Sequence, residues 1–239
     1  MPLVQELLNN GSSHGAGGTG NCKYGHDDYL LQEFNKAESF LLNLKPILFS
    51  MHTIEPYFNW RHLYVASEDP QSPFHGYFNS EVYFTDKIYD HIIHPQWDSI
   101  GCETLFLKVL FVDYAIGYCV IEFLGEWNDA VHNDIMRIKR DLVDEMLPLG
   151  IDKFILIGEN ILNFHADITD YYEEWLEEVP DGWMALLNLR EHVLNELSNY
   201  GVDQYFVLGG DLDFFDWRTK KPELLYHRVN EVVSRRLGF

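Results

Sequence analysis

The chain has 239 residues, and its 38 acidic against 17 basic side chains give a formal net charge of −21. Hydrophobic residues make up 46% and aromatic residues 15%, which is enough for a core and excludes a wholly disordered chain. The negative charge argues against a nucleic-acid binder, because neutralising phosphates needs a basic face, and against docking on anionic lipid.

The sequence predicts a cytoplasmic protein. Residues 1–10 lack the basic and apolar regions of a signal peptide. The most apolar stretch, 104–125, is interrupted by Lys108, Asp113 and Glu122, so it predicts two buried strands rather than a membrane span. Three cysteines without metal or disulfide spacing are typical of reduced thiols: Cys22, Cys102 and Cys119.

The first 26 residues are rich in glycine and serine, so residues 1–26 are predicted to form a flexible N-terminal arm. Gly15, Gly17 and Gly20 meet the spacing of a dinucleotide-binding loop. That loop needs a strand before it and a helix opening within it, and neither pattern is present. The composition therefore favours the arm.

Residues 27–100 are predicted to form a helix followed by a cap segment that is rich in aromatic residues and histidine. Apolar residues recur at helical spacing in the first part: Leu30, Phe34, Ala37, Leu41 and Leu44. In the cap, the patterns predict short strands over 62–66 and 81–84 and a short helix over 86–93. This α+β segment either covers an edge of the main domain or forms a dimer face.

Residues 101–239 are predicted to form an α/β domain. It opens with two apolar strands, 104–112 and 118–124, whose short link favours an antiparallel hairpin. Helices and further strands then alternate: a helix over 128–147, a strand over 153–158, a helix over 170–178, a strand over 183–187, a helix over 189–200, a strand over 205–208 and a helix over 219–237. Apolar strands alternating with helices indicate a mostly parallel sheet.

The element order of residues 104–239 resembles that of the STAS domain of anti-sigma-factor antagonists, which opens with strands and continues as strand–helix units. That family carries a regulatory serine in a loop and helix start after a middle strand, which corresponds here to residues 157–169. This stretch has no serine, and Thr169 is its only hydroxyl side chain. The resemblance therefore implies the fold and not a phosphorylation switch.

Acidic residues follow three of the four predicted strand ends, as Glu126, Glu159 and Asp211, with Asp213 close behind. The carboxyl ends of parallel strands share one edge, where α/β proteins bind ligands, and carboxylates suit Mg²⁺ or Mn²⁺. Glu159, Asp211 and Asp213 are thus candidate metal ligands. Glu126, Glu159 and Asp211 are candidate catalytic residues, with His165 as a general base. In the alternative interpretation, these acids only interact with helix N-termini, and no cofactor is predicted.

The acidic charge is concentrated in residues 122–216, which hold 22 acidic and 5 basic residues. Residues 217–239 hold 2 acidic and 6 basic residues, so the last helix is basic and is predicted to pair with the acids of helix 170–178. The arginines concerned are Arg228, Arg235 and Arg236. Helix 170–178 mixes acids with aromatics. It either surrounds a buried Trp175 and Leu176 with solvated acids or forms a docking face for a basic partner protein.

No catalytic motif is present: the sequence lacks the serine elbow of hydrolases and the lysine of a phosphate-binding loop. The sequence therefore predicts a non-catalytic regulatory or protein-interaction module. A divalent-metal-dependent hydrolase, with the strand-end carboxylates as its site, is the alternative.

Overall fold

The computed structural model describes residues 52–84 and 86–238. The arm predicted over 1–26, the glycine spacing within it and the helix predicted after residue 27 lie outside these residues. In the described part, no helix is both long enough and apolar enough to cross a membrane.

Three short strands form a small sheet ahead of the main domain: β1 (His52–Ile54), β2 (Lys87–Ile88) and β3 (His91–Ile93). β3 lies between the others, parallel to β1 and antiparallel to β2. The helix predicted over 86–93 is wrong, because this stretch folds as a hairpin that turns at Tyr89, whose φ is +54°.

The strands predicted over 62–66 and 81–84 are also wrong, because the first stretch contains turns and the second begins with a bend. The backbone N–H of Leu63 donates to the carbonyl oxygen of Trp60 at 2.8 Å. The Ser80 hydroxyl oxygen accepts from the N–H groups of Val82 and Tyr83 at 3.1 and 3.0 Å. Such local hydrogen bonds compete with strand pairing.

The main sheet has four strands in chain order: β4 (Leu105–Asp113), β5 (Tyr118–Asn128), β6 (Lys153–His165) and β7 (Trp183–Leu187). β4 and β5 are antiparallel, whereas β5, β6 and β7 are parallel. Helices lie between the later strands. The predicted fold class, an α/β sheet that is mostly parallel and opens with an antiparallel hairpin, is confirmed.

β5 and β6 extend well beyond their predicted ends. Their pairing continues to Asn128 and His165 through two register shifts. Past residue 158, β6 is no longer buried throughout, and only Ile161 and Phe164 among its remaining residues are buried. Because this part of β6 is only partly covered, its pairing with β5 keeps it in the sheet, and a local apolar pattern does not. Glu126 and Glu159 therefore lie inside strands, and their predicted placement after a strand is wrong.

The strand predicted over 205–208 is also wrong. A 3₁₀ turn occupies Asp203–Tyr205, and only Val207 bridges to Ala185 of β7. Gly209 and Gly210 follow with φ of +84° and +60°, and a second 3₁₀ turn spans Gly210–Leu212.

The helix predicted over 128–147 is broken into short pieces. α1 (Asp129–His132) ends at Asn133, which takes φ +53°, and α2 (Asp134–Ile138) follows. A π-helical turn (Lys139–Val143) and α3 (Asp144–Met146) complete the run. Such π turns are rare and occur mostly as single turns inside α-helices, and here the turn begins at the fully buried Lys139.

The remaining helices match their predictions closely: α4 (Asp170–Glu178), α5 (Glu191–Asn199) and α6 (Pro222–Leu237). α2, α4 and α5 contribute to the core on one face of the sheet. The opposite face packs on α6 together with the indoles of Trp60 and Trp217. The cap segment is thus anchored in the main core through Trp60.

Candidate functional site

Two of the predicted catalytic residues meet at the far end of β5 and β6. The Nε2 atom of His165 lies 2.7 Å from the Oε1 atom of Glu126. Asn163 on the same strand places its amide nitrogen 3.0 Å from the same imidazole nitrogen. The hydroxyl of Tyr89 hydrogen-bonds to Glu126 as well. Burial raises the pKa of this hydroxyl, and the negative charge of Glu126 raises it further. The half-exposed histidine and its carboxylate are therefore paired with each other.

Glu159 belongs to a second cluster, which also contains a residue that was not among the predicted site residues. Glu122 on β5 is fully buried and accepts from the backbone N–H of Tyr57 at 2.9 Å. Arg218 donates to Glu122 at 3.2 Å and, through Nε, to Glu159 at 2.9 Å. Burial raises the pKa of Glu122 to about 7, although Tyr57 and Arg218 act to lower it.

Glu159 receives a further hydrogen bond from the indole nitrogen of Trp217 at 3.2 Å. The guanidinium of Arg218 lies over the rings of Trp217 and Tyr57, 4.6 and 5.4 Å from their centroids. One sequence signal pointed to this cluster: Glu122 is a charged residue inside an apolar stretch, and a buried charge requires a partner. The sequence could not identify Arg218 as that partner, because it lies 96 residues away.

The remaining predicted ligands lie in the turn after Val207. Asp211 is 72% exposed and lies 3.5 Å from Arg235 of α6. Asp213 is half-buried beside it. Among the residues described, no three histidine, cysteine, aspartate or glutamate side chains come close enough to hold a metal ion. The metal prediction for Glu159, Asp211 and Asp213 thus rests on the sequence alone.

The acids of α4 are partly neutralised by cations from the helical run before β6. The buried Lys139 ammonium contacts Asp144 and lies 2.7 Å from Glu178. The guanidinium of Arg140 donates two hydrogen bonds, of 2.7 and 2.9 Å, to the carboxylate of Glu174. Trp175 is fully buried, as one of the two interpretations of this helix predicts, but the burial predicted for Leu176 is wrong, because that side chain is 41% exposed.

The predicted pairing of the C-terminal arginines with α4 is wrong. Arg235 pairs with Asp211, and Arg228 lies 3.5 Å from Glu231 on its own helix. Arg236 donates to the backbone carbonyl oxygens of Leu208 and Gly209, both at 2.6 Å. These two carbonyl groups directly follow Val207, the residue that bridges to β7, and Arg236 thus provides their hydrogen-bond donor.

A cleft of about 650 Å³ lies between two irregular segments of the cap, residues 56–68 and 77–83. Residues 108–110 of β4 form its floor. Its walls carry six aromatic side chains: Tyr57, Phe58, Tyr64, Tyr77, Phe78 and Tyr83. Phe78 and Tyr83 are 94% and 76% exposed, so most of the surface of their side chains is uncovered. We call this region the aromatic cleft.

Buried polar contacts hold the 77–83 wall in place at its base. The amide of Asn79 donates to Asp98 at 2.6 Å, and Asp98 in turn pairs with Lys108 of β4 at 3.1 Å. The side chain of Gln96 donates to the carbonyl oxygens of Asn79 and Ser80. The exposed aromatic tips of this wall are therefore carried on a tethered base.

The 56–68 wall is anchored in the main core. The indole of Trp60 donates to the carbonyl oxygen of Lys220 at 3.0 Å, and the hydroxyl of Tyr57 donates to that of Arg218. The hydroxyls of Tyr64 and Tyr114 both donate to Asp69. Burial acts to raise the pKa of Asp69, but these hydrogen bonds outweigh it and lower the pKa.

The charges around the aromatic cleft leave it slightly acidic. Arg61 pairs with Glu81 at 3.4 Å, and Lys108 pairs with the buried Asp98. Glu68 on the rim is exposed and has no ion pair within residues 52–84 and 86–238. Sequence reasoning recognised the high density of aromatics in this region but assigned no site residue to it.

Known proteins show little similarity to this sequence. No model of a protein family matches it, and no curated protein does. Among solved structures, a candidate anti-sigma factor antagonist from Thermotoga maritima is similar at a TM-score of 0.35 and 16% identity, over 52% of this chain and 92% of its own. The anti-sigma factor antagonist SpoIIAA in its unphosphorylated form is similar at 0.35 and 12%, over 56% and 97%.

Proposed function

We propose that this chain is a non-catalytic module that binds a partner protein through the aromatic cleft. The observation that carries the proposal is a cavity of about 650 Å³ with rings as exposed as those of Phe78 and Tyr83 on its walls. Ligand sites typically enclose roughly 300–1,000 Å³ and are lined by apolar and aromatic side chains. Tyrosine and phenylalanine are also enriched where proteins meet.

The acids of the predicted catalytic edge favour a structural role over a catalytic one. Glu122 and Glu159 share the guanidinium of Arg218, and Glu126 is paired with His165. The regulatory role and the cytosolic location are part of the proposal. Cys102 and Cys119, the cysteines of the described part, are buried free thiols, which suits a reducing compartment.

A second surface for a basic partner is α4. Glu173, Leu176 and Glu177 are exposed on it, whereas Lys139 and Arg140 engage Glu174 and Glu178. The metal-dependent hydrolase stays the alternative, and a metal titration separates it from the proposal.

The proposal is tested by selecting peptides from a random display library on the full-length protein. Peptides selected on the wild type should lose about tenfold or more affinity for Phe78→Ser combined with Tyr83→Ser, since truncated interface aromatics commonly have effects of this size. Fluorescence anisotropy with synthetic copies of the peptides measures the loss.

Phe214→Ser is the matched control. Phe214 is as exposed as Phe78, at 96% against 94%, but does not line the aromatic cleft. Equal affinity for the wild type and the cleft variant, or an equal loss in the control, would overturn the proposal. Loss in Glu173→Lys with Glu177→Lys alone would assign binding to α4 instead.

A further inference from the structure

β4 is an edge strand of the main sheet, and its backbone groups alternate between β5 and the open side. The N–H and C=O of Leu107 bond to Asp98 on the open side, at 3.1 and 2.8 Å. The N–H and C=O of Leu107 point away from β5. Because backbone groups of alternate residues point to the same side, the N–H and C=O of Val109 point to the open side as well.

Val109 is part of the floor of the aromatic cleft, and it is only 2% exposed. In the part of the chain that the structure describes, its outward N–H donates no hydrogen bond and its outward C=O accepts none. Buried backbone groups need partners, and none of the described residues provides one for this pair. The register shift between Val109 and Phe111 marks a bulge, a feature common at sheet edges and beside binding sites.

We infer that the aromatic cleft binds an extended peptide segment that adds to the edge of β4 at Val109. This inference rests on the proposed function and specifies its ligand. A peptide in extended conformation offers one N–H and one C=O per residue on each side, which match the free pair of Val109. Its alternate side chains then meet the aromatic walls on either side.

The charges define the composition of the bound segment. Both cations of the aromatic cleft, Arg61 and Lys108, already have acidic partners, whereas Glu68 on its rim has none among the described residues. The chain as a whole carries a net charge of −21. A segment that alternates apolar with basic side chains is therefore complementary, and acidic peptides are disfavoured.

The free edge is short. Asp98 occupies the edge of β4 at Leu107, and the bulge redirects the chain after Val109. The segment thus forms one pair of main-chain hydrogen bonds with Val109. Contacts between its side chains and the aromatic walls supply the rest of the binding.

The test uses the tightest cleft-dependent peptide from the display selection, prepared as two backbone N-methylated isomers. One isomer is methylated at odd positions and the other at even positions, so each loses the N–H groups on one side of an extended strand. Edge addition predicts about tenfold or more loss of affinity for one isomer and retention for the other. Equal affinities or equal losses for the two isomers would overturn it.

A pair of protein variants provides the second measurement. Val109→Pro removes the outward N–H, whereas Val109→Ala removes side-chain contacts and keeps the N–H. The peptide should bind Val109→Pro about tenfold more weakly than Val109→Ala. Equal affinity for the two variants contradicts the inference, and the methylated isomers decide if the proline variant does not fold.

The outcomes separate this inference from the proposed function. A peptide that depends on Phe78 and Tyr83 but shows no preference between the isomers leaves the proposed function standing and overturns edge addition. A selection that yields no cleft-dependent peptide overturns both. If the wild-type protein forms a dimer that the peptide dissociates, the occupant is a second copy of this chain, which rules out a separate partner.

Discussion

The polar cluster of Glu122, Glu159 and Arg218 and the aromatic cleft are both assembled from residues far apart in the sequence, but they differ in what remains unsatisfied. In the cluster, the carboxylates meet a guanidinium and hydrogen-bond donors from within the chain. In the cleft, the rings of Phe78 and Tyr83 are largely exposed, and the outward N–H and C=O of Val109 have no hydrogen-bond partner among the described residues. Unsatisfied groups, more than the type of residue, indicate where a ligand belongs.

Tyr57 connects the two regions. Its backbone N–H donates to Glu122, its hydroxyl donates to the carbonyl oxygen of Arg218, and its ring lines the aromatic cleft. A buried carboxylate is costly without donors around it, so the cluster fixes the position of this wall. The cluster thus supports the aromatic cleft without contacting a ligand itself.

The strongest challenge to this comparison is the removal of the cation. Arg218→Ala leaves the fully buried Glu122 without its charge partner, and the free energy of unfolding should fall by about 3 kcal/mol. Arg228→Ala is the control, because its exposed pair with Glu231 should contribute less than about 1 kcal/mol. Urea unfolding of both variants checks this. Equal small losses would contradict a structural role for the cluster and favour a free arginine at a site.

The pH dependence of stability tests the same cluster in a second way. Burial raises the pKa of Glu122 from its ordinary 4.5 to about 7, so the folded state binds this proton more tightly than the unfolded state. The contribution of Glu122 to stability is therefore present below about pH 4.5 and is lost as the pH rises through 7, by about 3 kcal/mol at most.

Glu122→Gln removes this titration, so its free energy of unfolding should change less than that of the wild type between about pH 5 and about pH 8. Parallel profiles for the two proteins would show that Glu122 stays ionised over this range. The stabilisation of its charge by Arg218 would then exceed the free-energy cost of burying that charge.

The smallest expected effect is in metal binding. If the strand-edge acids are structural, calorimetric titration with Mg²⁺ or Mn²⁺ up to about millimolar concentration should give no heat beyond dilution. Asp211→Asn should leave the melting temperature unchanged, because its carboxylate is exposed. A saturable heat that this variant abolishes would instead support the metal-dependent hydrolase.

Prediction from the sequence succeeded where the signal was local. The apolar runs of β4 and β7 predicted these two strands closely. It failed where pairing decides. β6 continues to His165 because β5 runs beside it, and the stretch 86–93 is a hairpin because β3 also pairs with β1.

The sequence by itself determined the α/β class, the antiparallel opening of the sheet and the concentration of acidic charge between residues 122 and 216, because each follows from neighbouring residues or from counting. Tertiary structure decided which charges are neutralised and which aromatics stay uncovered. Arg218 reaches Glu122 across 96 positions, and Phe78 projects from a wall tethered through Asp98. Burial and pairing are properties of the packed chain. Only the folded structure therefore distinguishes the polar cluster, whose charges are paired, from the aromatic cleft, whose rings are exposed.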